Sequence, residues 1–440
     1  MGFVGFRGIY PFTKKMTIGA DIKQLKPVGF YNVPLKLNNI TESEPVVNIG
    51  DTVKQGTLIA KPTGKVGINI FSPVAGKVLN IVKKMTPNGE YVKHMLIMRN
   101  ENEEEDDFVD LPALESMSDI NLVARLRDAG IVDNVLNLPS YIKYSYMGAR
   151  SYKHLYVLCD TTDPNNSVNQ TITEFRMEEV INGAKYFSNI TGVANITFVF
   201  TDSNFKLANK LKKHIMESKK SYDFKIKFIP NKYPFDNPYI LTKVLLRKNI
   251  NEDNSFLKEG IAIETAESCY NLCRAVEFNK PVVSKVVTVD GTNVARPGNY
   301  FVSSGYSYQN LLDEVGINDL EIKSQLIDGN VLSGIAQYST DLCLSLSTET
   351  ILYMQHDILT NLEENPCISC GKCVSVCPMF LNPTRLDETY INEDYAKLDK
   401  LNVHSCIECG CCSYICPSKR YLTQRIAAGK YYDRQRRNRG

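Results

Sequence analysis

CISCGKCVSVCP at Cys367–Pro378 and CIECGCCSYICP at Cys406–Pro417 share one spacing, C-x2-C-x2-C-x3-C-P, and begin 39 positions apart. Three cysteines at two-residue gaps put three sulfurs on one tight loop. Gly371 and Gly410 let that loop turn close to whatever the sulfurs hold, and Pro378 and Pro417 fix the exit of each run. Structural zinc sites use two C-x2-C pairs separated by a longer gap, which this pattern does not match. Disulfides belong to exported chains, and Met1–Tyr10 carries neither a basic start nor an apolar core of useful length.

The spacing resembles the ligand pattern of bacterial two-cluster ferredoxins, in which each cubane takes three thiolates from one motif and the fourth from the other. The resemblance implies crossed ligation. Cys367, Cys370, Cys373 and Cys416 would hold one [4Fe-4S] cluster, and Cys406, Cys409, Cys412 and Cys377 the second. Cys411 is a spare thiol, since a swap with Cys412 breaks the two-residue gap. The remaining cysteines (Cys159, Cys269, Cys273 and Cys343) read as reduced, buried thiols. Clusters and free thiols together point to a reducing, cytoplasmic setting.

The 440 residues are enough for two to four domains, and 43% apolar content with a net charge of +2 names no partner. No apolar run approaches the roughly 18–20 residues a spanning helix needs, so membrane contact would be peripheral. The tail Lys419–Gly440 carries eight Lys or Arg and one acid. It reads either as a solvated end or as a dock for anionic lipid or an acidic partner. No aromatic-interleaved patch accompanies it, which argues against nucleic acid. The five histidines are scattered and suggest no acid–base constellation; His404, two residues before Cys406, reads as a packing neighbour.

The expected fold class is multidomain, α+β and α/β. Residues 1–100 alternate short apolar runs with Gly, Pro and Asn turns. VVNIGDTVKQGTLIAKPTGKVGINIFSPVAGKVLNI looks like the barrel-sandwich fold of biotinyl and lipoyl carriers. Lys65 lies near the tip where those carriers hold a cofactor, but without their flanking residues, so the module is expected to serve packing. The acidic run ENEEEDD at 101–107 marks a boundary. Residues 115–250 alternate helical and buried-strand patterns as an α/β domain. Residues 255–345 carry a hairpin signal around Asp290-Gly291 and a short helix at Ser307–Val315, and resemble a β-grasp module of the soluble-ligand-binding (SLBB) type. Ser347–His356 reads as a bridge to a helical two-cluster domain at 355–425.

Barrel-sandwich, α/β, β-grasp and twin-cluster modules in this order, after FRGIYPFTKKMT at Phe6–Thr17, resemble RnfC, the C subunit of the Rnf ion-translocating oxidoreductases. The resemblance implies electron transfer inside a complex, with other Rnf-type subunits or a ferredoxin-like carrier as partners, peripheral on the cytoplasmic face. It also implies a complex-I-like α/β domain holding FMN and accepting hydride from NADH. The family carries GxGGAGFP after an AGIV-like lead. Here Ala129-Gly130-Ile131-Val132 is followed by DNVLNLP, which keeps only Pro139. Val135, Leu136 and Leu138 put bulk where a glycine loop would leave room for the ligand. The family's acidic strand end becomes LCDTTDP, in which Asp160 and Asp163 stand in as cofactor-binding candidates; KYPFDNP at Lys232–Pro238 has lost its glycines too. The expectation is a domain that keeps its fold but not ordinary FMN or NADH binding. Two alternatives stay open: a divergent loop that still holds flavin through backbone amides, making an NADH-oxidising enzyme, and a soluble carrier serving another reductase.

Overall fold

The computed structural model describes residues 6–11, 15, 17–37, 40–64, 66–101, 108–147, 151–217, 223–248, 255–355 and 363–439. Lys65, most of the acidic run and His356 lie outside them.

Two small antiparallel sheets form the N-terminal barrel-sandwich. One runs in the order Phe30–Pro34, Tyr91–Arg99, Gly76–Met85, Thr52–Val53, and the other Ser43–Pro45, Leu58–Pro62, Ile70–Phe71. Alternation puts Val33, Ile59, Val78, Met95 and Ile97 wholly inside. Gly76 is required where strands meet, because a Cβ there would lie 2.1 Å from the Met98 carbonyl oxygen.

Next comes an all-parallel sheet ordered Phe224–Ile229, Ile196–Thr201, His154–Leu158, Ile261–Thr265. Every residue of Ile196–Thr201 is buried, as in a strand covered on both faces. The chain moves outward from His154–Leu158 in one direction and returns to its other side with Ile261–Thr265. The strand order therefore reverses between these two, the place where open α/β sheets form a crevice. Helices Met177–Thr191 and Ala266–Glu277 pack closely, since a Cβ on Gly183 would sit 1.9 Å from the Cys269 carbonyl oxygen.

A mixed sheet follows, ordered Lys23–Gln24, Gly298–Ser303, Ser284–Asp290, Thr350–Gln355, Ser324–Asp328, Ile335–Ala336. The helix Tyr308–Val315, capped by the Ser307 hydroxyl, lays Tyr308, Leu311, Leu312 and Val315 into its core. The sheet differs from the expected boundaries in two places. Ile261–Thr265 belongs to the parallel sheet, and Thr350–Gln355, expected as a bridge, is a central strand paired parallel to Ser284–Asp290 and antiparallel to Ser324–Asp328.

The C-terminal domain is helical: Lys372–Val376, Pro383–Ile391, Tyr395–Lys400, Cys411–Ile415 and Leu422–Arg439. The 39-residue repeat extends past the cysteines, for Lys372 corresponds to Cys411 and Pro383 to Leu422 as helix starts. The basic tail is a helix, and several of its cations are occupied inside the domain. Arg425 grips Glu364 with both terminal nitrogens at 2.6 Å. Arg420 and Arg425 also flank the buried Asp387.

Phe6–Tyr10 straps this domain to the parallel-sheet domain. The Arg7 guanidinium donates to the Val374 carbonyl at 2.8 Å and lies 4.5 Å over Phe380, while Ile9 bridges Tyr233. On the docking face Gly410, at φ +79°, abuts Leu332; a Cβ there would lie 2.1 Å from the Leu332 carbonyl oxygen. Gly410→Ala should therefore cost about 1–2 kcal/mol for the left-handed backbone alone and loosen the docking as well. The expected readout is a lower thermal midpoint and faster limited proteolysis, with Gly371→Ala, which meets nothing within 4 Å, doing less.

Candidate cluster sites and the flavin crevice

Two cavities of the C-terminal domain are lined by sulfur. Cys377, Cys406, Cys409 and Cys412 bound one, with Cys411 beside them. Cys367, Cys370, Cys373 and Cys416 bound the other. Each cavity mixes the two motifs: Cys377 joins the second motif's cysteines in one, and Cys416 joins three of the first motif's in the other. Local backbone explains the shape: Ser369 and Gly371 in the first loop, and Glu408 and Gly410 at the matching positions of the second, all have positive φ, so each loop curls around its sulfurs.

Hydrogen bonds to sulfur follow the repeat. The Cys373 Sγ meets Thr384 Oγ1 at 3.1 Å, and the Cys412 Sγ meets Thr423 Oγ1 at 3.5 Å. Backbone amides of Ser369 and Leu381 donate to Cys367 Sγ at 3.4 Å and Cys377 Sγ at 3.3 Å. Cys411, at the position Lys372 holds in the first motif, packs with Ile9 and Tyr233. Burial pushes the Cys406 and Cys412 thiols up to about 12. A hydrogen bond with Cys411, then burial, raises Cys409 well above its ordinary value. A bound metal would hold such sulfurs as thiolates. Four sulfurs per cavity, with amide and hydroxyl donors aimed at them, fit iron–sulfur cubanes.

The two cavities differ in surroundings. Met379 and Ile407, on the wall of the first, also pack against the parallel-sheet core. In the second, Cys367 and Cys370 are exposed and Ile368 is 67% exposed. The first cavity is thus inner and the second outer. Lys430 holds the inner ligand loop, its ammonium donating to the Cys406 carbonyl at 2.8 Å and pairing with Glu408 at 3.3 Å. His404 does not face the sulfurs as a ligand; its Nε2 pairs with Asp433 at 2.8 Å, and Asp433 is also held by Arg436 and Arg437.

At the C-terminal ends of the parallel strands, side chains hydrogen-bond to one another. Asp160 accepts from the Thr201 hydroxyl at 2.5 Å and from Asn204 at 3.2 Å. Asp163, raised first by burial, accepts from Asn330 at 2.6 Å and from the Asn165 and Asn166 amides. Asp236 ties the Thr161 and Thr162 hydroxyls from the KYPFDNP loop. The structure thus turns both sequence candidates, Asp160 and Asp163, into internal hydrogen bonds. Val135 and Leu136 pack against the same core as Met379 and Ile407.

Behind the loop lies a group the sequence reading missed. Lys143 is wholly buried, 2.6 Å from Asp133 and 2.5 Å from Glu264. Two carboxylates face one ammonium in a site closed to solvent. Burial accordingly pushes Glu264 up to about 7 despite the lysine, and the Tyr144 hydroxyl donates to it. The signal in the sequence was Asp133 standing where the family has a glycine, 10 residues ahead of Lys143.

Three family models match: the RnfC barrel sandwich hybrid domain over residues 4–103, the Nuo51 FMN-binding domain over 126–274, and a 4Fe-4S dicluster domain over 360–417. The three follow one another along the chain. The chain is RnfC-like. The C subunit of the ion-translocating oxidoreductase complex of Rhodobacter capsulatus is 26% identical over 384 residues, covering 86% of this chain and 73% of the relative. The C subunit of the proton-translocating ferredoxin:NAD(+) oxidoreductase complex of Clostridium ljungdahlii is 26% identical over 385 residues, covering 86% and 82%. Among solved structures, an NAD+-reducing [NiFe]-hydrogenase in the H2-reduced state aligns with TM-score 0.50 at 12% identity, over 73% of this chain and 63% of that one. That likeness is one of fold. The RnfC-like chain therefore combines the barrel-sandwich, flavin-type α/β and dicluster modules, with the [4Fe-4S] dicluster domain at its C-terminal end.

Proposed function

We propose that this chain is the electron-transfer subunit of an Rnf-type oxidoreductase complex, peripheral on the cytoplasmic face, without hydride chemistry of its own. The observation that carries the reading is the pair of four-cysteine cavities, one against the parallel-sheet domain and one at the surface. When bound, [4Fe-4S] clusters exchange single electrons. The chain's part is to hold the two sites at fixed separation, to shield the inner one with Met379 and Ile407, and to present the outer one at Ile368. Cys412 is assigned as the inner ligand over Cys411 because it shares the threonine contact of Cys373 in the repeat. Partners are the other subunits of such a complex or a ferredoxin-like carrier. Among the described residues no helix is long and apolar enough to cross a membrane, so attachment rests on those partners.

Anaerobic purification tests the reading. The expected material is brown, with about eight irons per chain for two cubanes, no extractable flavin, and no spectral change on adding NADH. Colourless protein with few irons would sink the cluster assignment. Stoichiometric FMN bleached by NADH would instead favour the enzyme reading, which the match to the Nuo51 FMN-binding domain supports.

Lys430 supplies a further check. Its positive charge beside the inner ligand loop favours the added electron, so Lys430→Gln should make the inner cluster harder to reduce. A Coulomb energy at an effective dielectric of about 20 corresponds to roughly tens of millivolts, readable in an EPR-monitored redox titration. The outer cluster should not move.

A further inference from the structure

A large cavity shares no lining residue with the two cysteine cavities. It opens between the barrel-sandwich, the helices Met177–Thr191 and Ala266–Glu277, and the mixed sheet, and encloses about 760 Å3, the size of a small-molecule site. Among the described residues its charged lining is Lys26, Arg99, Arg176, Arg274 and Lys280 against Glu179. Arg176, Lys26 and Lys280 lean on Asp21, Glu314 and Asp110 at the rim. Arg99 and Arg274 have no carboxylate within ion-pair distance among the described residues; Arg274 only donates to the Tyr270 hydroxyl at 2.8 Å.

Aromatic faces stand beside these cations. Tyr270 and Phe301 pair at 6.3 Å, and Lys280 lies 4.1 Å over Phe108. Those four and Arg274 also line a deeper recess reached from the same place. Lys285 borders that recess. Its ammonium is buried and makes no hydrogen bond, the nearest carboxylate oxygen of Glu267 lying 3.5 Å away. Lys285 is thus paired with Glu267, and among the described residues the cleft cations left for an anion are Arg99 and Arg274.

We infer that this inter-domain cleft binds a phosphorylated ligand with a planar ring, a nucleotide in chemical class, at a site separate from the flavin crevice. Arg99 and Arg274, on opposite walls, take the phosphates; the planar fork of each guanidinium matches phosphate oxygens. Tyr270 and Phe301 take the ring. Nothing in this assignment depends on the clusters being loaded or on the electron-transfer reading.

Isothermal titration of the full-length, cluster-loaded protein with ADP and with inorganic pyrophosphate tests it. ADP should bind with a stoichiometry near one, pyrophosphate more weakly, and both more weakly as salt rises. Arg99→Ala, a change on a barrel-strand end, should weaken both about tenfold, and Arg274→Ala similarly, as expected for loss of a charge-assisted contact. Tyr270→Leu should weaken ADP alone. Iron content should stay unchanged in every variant, which separates failure here from failure of the cluster sites. Neither probe binding at millimolar concentration would overturn the proposal. So would binding that survives Arg99→Ala and Arg274→Ala together, and equal affinity for the two probes would overturn the planar-ring assignment.

Discussion

Cys416→Ser should remove the outer cluster although Cys416 sits in the second motif. Iron content should fall from about eight to about four per chain, with a single EPR signal left on reduction. Cys370→Ser should give the same signal, because both residues line the outer cavity. Cys377→Ser and Cys409→Ser should match each other instead, leaving only the outer signal, since those two line the inner cavity. Cys411→Ser should keep all eight irons and so serves as the folding control. The exposed Cys367 and Cys370 also mean that the outer cluster is lost first under a limiting oxidant. Grouping of Cys416→Ser with Cys409→Ser would overturn the crossed arrangement.

Lys143→Met should destabilise the chain by about 3–5 kcal/mol, because it leaves Asp133 and Glu264 buried without their cation. The measurement is a urea midpoint on the cluster-loaded protein. Adding Asp133→Asn should recover part of the loss, a coupling expected of residues in one buried network. Recovery of all of it by Glu264→Gln alone would show that Asp133 contributes nothing.

The same network sets a pH dependence. Glu264 rises from its ordinary 4.5 to about 7 on burial, and Glu349 rises to about 7 for the same first reason. Between those values the folded chain holds protons that the unfolded chain has released. Stability is therefore greatest on the acid side and falls as pH rises through about 7. Urea midpoints should be higher at pH 6 than at pH 8. Glu264→Gln should flatten the slope only in part, since Glu349 remains.

Much of the architecture was legible because the relevant forces are local. Ser118 and Ser307 announce their helices by capping them, and Ile196–Thr201 announces itself as an unbroken buried run. The flavin-loop departures were legible as bulk in place of glycine. The hydrogen bonds around Asp160 and Asp163 were not: they need Asp236, Asn330 and Thr201, which come from three distant segments. Ser347–His356 was read as a bridge, but it contains the strand Thr350–Gln355. It becomes a central strand only through partners about 60 and about 25 residues earlier.

What the sequence by itself determined is the cysteine spacing and the turns around it, and with them the cluster chemistry, because three ligands and two left-handed residues per loop are set within a few residues of chain. Only the tertiary structure decided which cavity is buried and which faces solvent, what neutralises Lys143, and that five like charges meet across one cleft. Those depend on where whole domains come to rest, and no local period or propensity encodes the contact between Gly410 and Leu332 that fixes it.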